Sequence, residues 1–173
     1  MRDITIQPDE ITFNNPTFIS TIESIINNVK EELGCQPNDT NIEAALQKLI
    51  VCRPGSNMDE DETEKSSGAF ATLYIQLPSM FSGSQLTIRH HNLSETIQFD
   101  DKRCEFEIIY AAHHCDCRAD FTPVESGYRT ALVYDLIQKS SPKISILNES
   151  EKMIKKLSSV LAKVCNSLFF SNG

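Results

Sequence analysis

Phe70-Ala71-Thr72-Leu73-Tyr74-Ile75-Gln76-Leu77-Pro78-Ser79 sets the reading of this chain. Its β-branched and aromatic residues favour a strand, and Pro78-Ser79 ends it. Similar short runs lie on either side of it. Leu49-Ile50-Val51-Cys52 enters a turn at Pro54-Gly55, and Leu86-Thr87-Ile88, Thr96-Ile97-Gln98-Phe99, Phe106 to Tyr110 and Thr130 to Ile137 follow. Turn residues separate them at Ser82-Gly83-Ser84, Asp100-Asp101 and Ser126-Gly127. Short strands at this spacing, with no helical pattern between them, predict an antiparallel barrel or jelly roll.

The flanks read differently. Asn15-Pro16 supplies an N-cap and a proline at the first helical position. Phe18, Ile22, Ile25, Ile26, Val29 and Leu33 then recur at helical spacing up to Gly34. Ile4, Ile6, Ile11 and Phe13 suggest a short strand or extended arm before that helix, and a second short helix is expected from Asp39 or Thr40 through Ile42, Ala45 and Leu46. Near the C-terminus Met153, Ile154, Leu157, Val160, Leu161, Val164 and Leu168 form one apolar helical stripe, expected to pack on the sheet. The fold class is therefore mainly β with flanking helices (α+β). One domain is expected over residues 1–138, with its barrel at about 48–138, followed by a linker and amphipathic helix over residues 139–173.

The chain has 173 residues, 40% of them hydrophobic and 23% charged, an ordinary globular composition. Its formal charge of −8 argues against nucleic acid or an anionic membrane as partner, since both call for a positive face. No apolar run approaches the ~20 residues that span a bilayer. Met1 to Ile6 carries no apolar core of a secretory signal, so a cytoplasmic protein is expected, with its 6 cysteines as reduced, mostly buried thiols.

Three constellations could carry chemistry. The acidic run Asp59-Glu60-Asp61-Glu62-Thr63-Glu64 has carboxylates for a hard cation but not the spacing of a calcium-binding loop, so a solvated charge run is the simpler reading. His113-His114-Cys115-Asp116-Cys117 is dense in ligand types but has no second knuckle of the kind zinc sites use; packing residues are the plainer alternative. His90-His91 lies on a candidate strand, where the two rings would point to opposite faces. In Pro123-Val124-Glu125-Ser126-Gly127-Tyr128-Arg129 an arginine follows a turn, and its planar fork would suit a carboxylate ligand.

Taken in order, Phe70-Ala71-Thr72-Leu73, Leu77-Pro78-Ser79, Ser82-Gly83-Ser84-Gln85-Leu86, Ile88-Arg89-His90, Phe99-Asp100 and Pro123 to Arg129 resemble the iron(II)/2-oxoglutarate-dependent dioxygenases, in their prolyl 4-hydroxylase-like branch. The resemblance runs from about Phe13 to Leu136. It implies a double-stranded β-helix with the N-terminal helices outside, and iron held by two histidines and a carboxylate beside 2-oxoglutarate. After Pro54-Gly55 the Thr63-Glu64-Lys65 anchor of that branch is present, but Glu60 stands at the histidine of the His-x-Asp pair and Glu62 at its aspartate. Ala119 stands at the second histidine, after Cys117-Arg118, while Arg129 keeps the position that binds the 2-oxoglutarate carboxylate. The resemblance thus implies Fe(II) and 2-oxoglutarate as cofactors of the family, and a domain here that has lost its iron ligands and is non-catalytic. Two alternatives stand beside it: an active 2-oxoglutarate-dependent hydroxylase with an altered metal site, and a small metal-binding protein using His113 to Cys117. The expected ligand is 2-oxoglutarate or another small carboxylate.

Overall fold

A computed structural model describes residues 3–35, 40–56, 58 and 65–139, and the backbone of 161–165. The described chain is mostly β with one α-helix. Its strands are β1 (Ile4–Ile6), β2 (Ile42–Cys52), β3 (Ala69–Gln76), β4 (Phe81–Gly83), β5 (Leu86–His90), β6 (Leu93–Ile97), β7 (Ile108–His114), β8 (Arg118–Phe121), β9 (Val124–Gly127), β10 (Arg129–Gln138) and β11 (Leu161–Cys165). The helix α1 spans Pro16–Glu32, and a single 3-10 turn, Pro8–Glu10, precedes it.

Local sequence accounts for α1. Asn15 caps it, its Oδ1 accepting the Thr17 N–H at 3.0 Å, and Pro16 takes the first position. Gly34 leaves the helix at φ +83°, a conformation that suits glycine. Ile22, Ile25 and Val29 form the buried face. That face meets Ala71, Leu73, Ile75, Ile108, Tyr110, Ala112, Leu132 and Leu136, the outward side chains of β3, β7 and β10.

The main sheet has the order β1-β2-β10-β3-β7-β11, antiparallel throughout. Strand alternation turns Tyr74, Ile109, Ala111, Ala131 and Val133 to its other face, where they pack against Phe81, Leu86, Ile88, Ile97, Phe99, Ala119 and Phe121 from the smaller sheets. The smaller sheets are β4-β9 and β6-β5-β8. One core thus lies under the helix and a second between the sheets.

Three expectations are corrected. Residues 42–46 belong to β2, not to a second helix: β10 pairs with β2 from Ile42 to Cys52, and this non-local ladder overrides the three- and four-residue spacing of Ile42, Ala45 and Leu46. Leu161–Cys165 is a strand on the edge of β7, where a C-terminal helix was expected; the remainder of that stripe lies outside the described residues. The strands also form three sheets rather than a closed barrel. The ladder of β5 with β8 carries the register of Gly83 with Val124, but is interrupted at Ser84-Gln85 and Thr122-Pro123. Pro123 lacks an amide hydrogen, and Ser84 has a φ of +57°. Isolated bonds bridge the gap, Ser84 N–H to Pro123 O at 3.0 Å and Thr122 N–H to Gln85 O at 2.9 Å. Among the described residues no helix is long and apolar enough to cross a membrane.

Candidate functional site

Arg129 opens β10 on the face between the sheets and is completely buried. The approach to it depends on Gly127, at φ +72°, where an added Cβ would overlap the backbone of Met80. That close passage gives the Ser-Gly-x-Arg pattern a physical reason for its glycine. Arg129 Nε donates to Gln76 Oε1 at 2.7 Å, and Nη1 donates to Ser84 Oγ at 3.2 Å. Gln76 is itself oriented, its Nε2 donating to Leu77 O at 2.6 Å and to Ser79 Oγ at 2.7 Å. This leaves the amide oxygen for the guanidinium.

The rings of Phe99 and Phe121 each lie 4.6 Å from the guanidinium carbon. They supply cation–π contact but no counter-charge. Among the described residues no carboxylate pairs with Arg129, and its Nη2 is buried without a hydrogen-bond partner. Burial holds the guanidinium down at about 10, despite nearby Cys52 and Tyr74 acting the other way. Cys52, opposite Arg129 in the ladder, is pushed up to about 12, chiefly by burial. The site is a desolvated cation with one donor edge unused.

The other sequence candidates separate. Glu60 and Glu62 lie outside the described residues. Ala119 is buried on β8, opposite Ile88, and offers a methyl group where the family resemblance calls for an imidazole. The described side of that position therefore offers no ligand for iron, whereas Arg129 keeps one N–H edge without a partner.

The His113 to Cys117 run does not converge as a unit. His113 is buried on β7, stacked on Tyr74 with ring centroids 5.8 Å apart, while the ring of His114 lies against Phe70 at 6.2 Å. Asp116 and Cys117 instead meet His90, each contributing a ligand atom within 4.8 Å of the others. His90 and His91 do not point apart as expected. Their rings meet edge to face at 4.3 Å, because His91 has left the strand with a φ of +52°. Gln76, Ser84 and the His90–Cys117 pairing escaped the sequence reading, since each depends on which strand lies beside which. Cys52 and Cys104 are buried thiols outside any disulfide, as expected of reduced cysteines.

No protein-family model and no curated protein matches the chain. Among solved structures it is similar to an oxidoreductase of the 2OG-Fe(II) oxygenase family from Burkholderia pseudomallei, with 14% identity and a TM-score of 0.44. That similarity covers 70% of this chain and 60% of the other, so the chain spans less than two thirds of that protein's length.

Proposed function

We propose that this chain is a binding domain for a small carboxylate of the 2-oxoglutarate class, built on a dioxygenase-type jelly roll of the prolyl 4-hydroxylase-like branch and no longer catalytic through iron. The observation that carries the reading is Arg129, a fully buried cation with Nη2 unpartnered and no carboxylate beside it among the described residues. A buried charge is costly unless paired and hydrogen-bonded, and a planar guanidinium is shaped to receive a carboxylate. Gln76 and Ser84 occupy Nε and Nη1, which leaves Nη2 to donate to the ligand. Phe99 and Phe121 exclude water around that bond and strengthen it.

The metal chemistry argues for binding without turnover. Neutral imidazoles suit ferrous iron, whereas carboxylates suit magnesium, calcium or manganese. Glu60 and Glu62 are carboxylates, and Ala119 supplies no donor.

Calorimetric titration of the full chain with 2-oxoglutarate, without added metal, tests the reading. Saturable binding that disappears in Arg129→Met is expected, with no succinate formed when ferrous iron and dioxygen are added. Failure of 2-oxoglutarate, succinate and acetate alike to bind would overturn the carboxylate site. Succinate release would overturn the loss of catalysis and establish the altered-metal hydroxylase instead.

A further inference from the structure

We propose that His90, Asp116 and Cys117 form a zinc site with one position left open to water. The site is built by strand register. Arg89 pairs with Arg118 in the β5–β8 ladder, so one step further His90 stands across from Cys117. On the other side a tight turn joins β7 to β8, held by the Cys117 N–H on His114 O at 3.0 Å and the Cys115 N–H on Phe70 O at 2.9 Å. This turn sets Asp116 beside Cys117, with Cys117 Sγ 3.7 Å from Asp116 Oδ1. The His91 ring meets that of His90 edge to face at 4.3 Å.

Imidazole nitrogen, thiolate sulfur and carboxylate oxygen are the three ligand types zinc accepts. Ligand atoms of a tetrahedral zinc lie roughly 3.3–3.8 Å apart, given Zn–S near 2.3 Å and Zn–N or Zn–O near 2.0 Å. The three atoms here all fall within 4.8 Å of one another, so side-chain rotations that bring them closer by at most about 1.5 Å close the set. The mixture of burial suits an open site: Cys117 is buried, His90 half-buried and Asp116 exposed. The soft thiolate favours zinc over magnesium or calcium, which prefer oxygen alone.

The site is separate from the carboxylate position. Cys117, just before β8, and Ala119 and Phe121 on it take alternate positions in the core between the sheets, and Phe121 is the β8 residue lying on Arg129. At ~3.3 Å per residue, Cys117 lies about 13 Å along the strand from Phe121.

Metal-stripped full-length protein titrated with cobalt(II), then zinc(II), provides the test. A single cobalt per chain is expected, giving thiolate-to-cobalt charge-transfer absorption and intense four-coordinate visible bands that zinc abolishes. Cys117→Ser should remove the charge-transfer band, and His90→Gln should weaken zinc binding by about tenfold or more. Cys115→Ser and Arg129→Met should leave both intact. Absence of cobalt binding overturns the proposal, as does a charge-transfer band that survives Cys117→Ser or vanishes with Cys115→Ser. Melting temperatures without metal are read alongside. Should Cys117→Ser fail to fold, His90→Gln decides, and unchanged zinc affinity in that variant overturns the site.

Discussion

At the residue scale, the two groups that face each other at the start of β10 make opposite demands. Arg129 is a charge held in an apolar interior, and its burial penalty competes with the bonds to Gln76 and Ser84. Replacing it by methionine removes the penalty but strips donors from two buried acceptors, a loss of about 1–3 kcal/mol for each. A buried charge without a counter-ion costs at least as much. Arg129→Met should therefore leave the melting temperature of the unliganded protein unchanged or higher, while abolishing the rise produced by 2-oxoglutarate. Destabilisation well beyond ~3 kcal/mol would identify the guanidinium as a structural strut. Cys52 supplies a pH signature. Its thiol is raised from 9.0 to about 12, so the folded state holds a proton that the unfolded chain releases. The associated stability is complete below pH 9 and is lost as pH rises through the folded value. Tyr134, raised by burial from 10.0 to about 12, acts in the same sense from a higher starting point. Arg129, lowered from 12.5 to about 10, acts in the opposite sense and only above its folded value. Between about pH 9 and 10, denaturant melts should show stability falling by at most ~1.4 kcal/mol per pH unit from this thiol. Cys52→Ala should flatten that slope.

At the element scale, α1 and the β9–β10 junction show two kinds of local determination. Asn15 accepts from the first turn, so Asn15→Ala should cost about 1 kcal/mol in thermal or denaturant melts and leave ligand binding unaffected. Gly127 has a positive φ and no room for a Cβ beside Met80. Gly127→Ala should cost about 3 kcal/mol or more and weaken carboxylate binding, because Arg129 enters the core two residues later. Both positions were legible in the sequence. The cap follows from Asn15-Pro16 and the glycine from its place before Arg129, and neither needs a distant partner. Residues 42–46 were illegible for the complementary reason. Ile42, Ala45 and Leu46 carry a helical spacing, and only pairing with Gln138, Asp135 and Tyr134 of β10 makes them extended. Arg129 was named from its motif, but Gln76 and Ser84 came to it through β3 and the interrupted ladder. His90 met Cys117 through the pairing of β5 with β8.

At the scale of the whole molecule, the sheet has a helix-covered face and a face turned toward the smaller sheets. Its strand-rich centre was legible in the short β-branched and aromatic runs between turn residues. Its lateral limits were not, since a helical stripe gave no hint that Leu161–Cys165 would lie along β7. That added strand has a practical consequence. A polypeptide ending after Lys139 would leave the outer margin of β7, from Ile108 to Ala112, without its partner. A row of vacant amide and carbonyl groups beside apolar residues is a template for another molecule. Such a truncated chain should self-associate with increasing concentration in analytical ultracentrifugation, where the full chain does not; equal sedimentation of the two would show that β11 is dispensable. The last short strand would then act as an in-built chaperone of the sheet's margin, satisfying from within what another copy could otherwise claim.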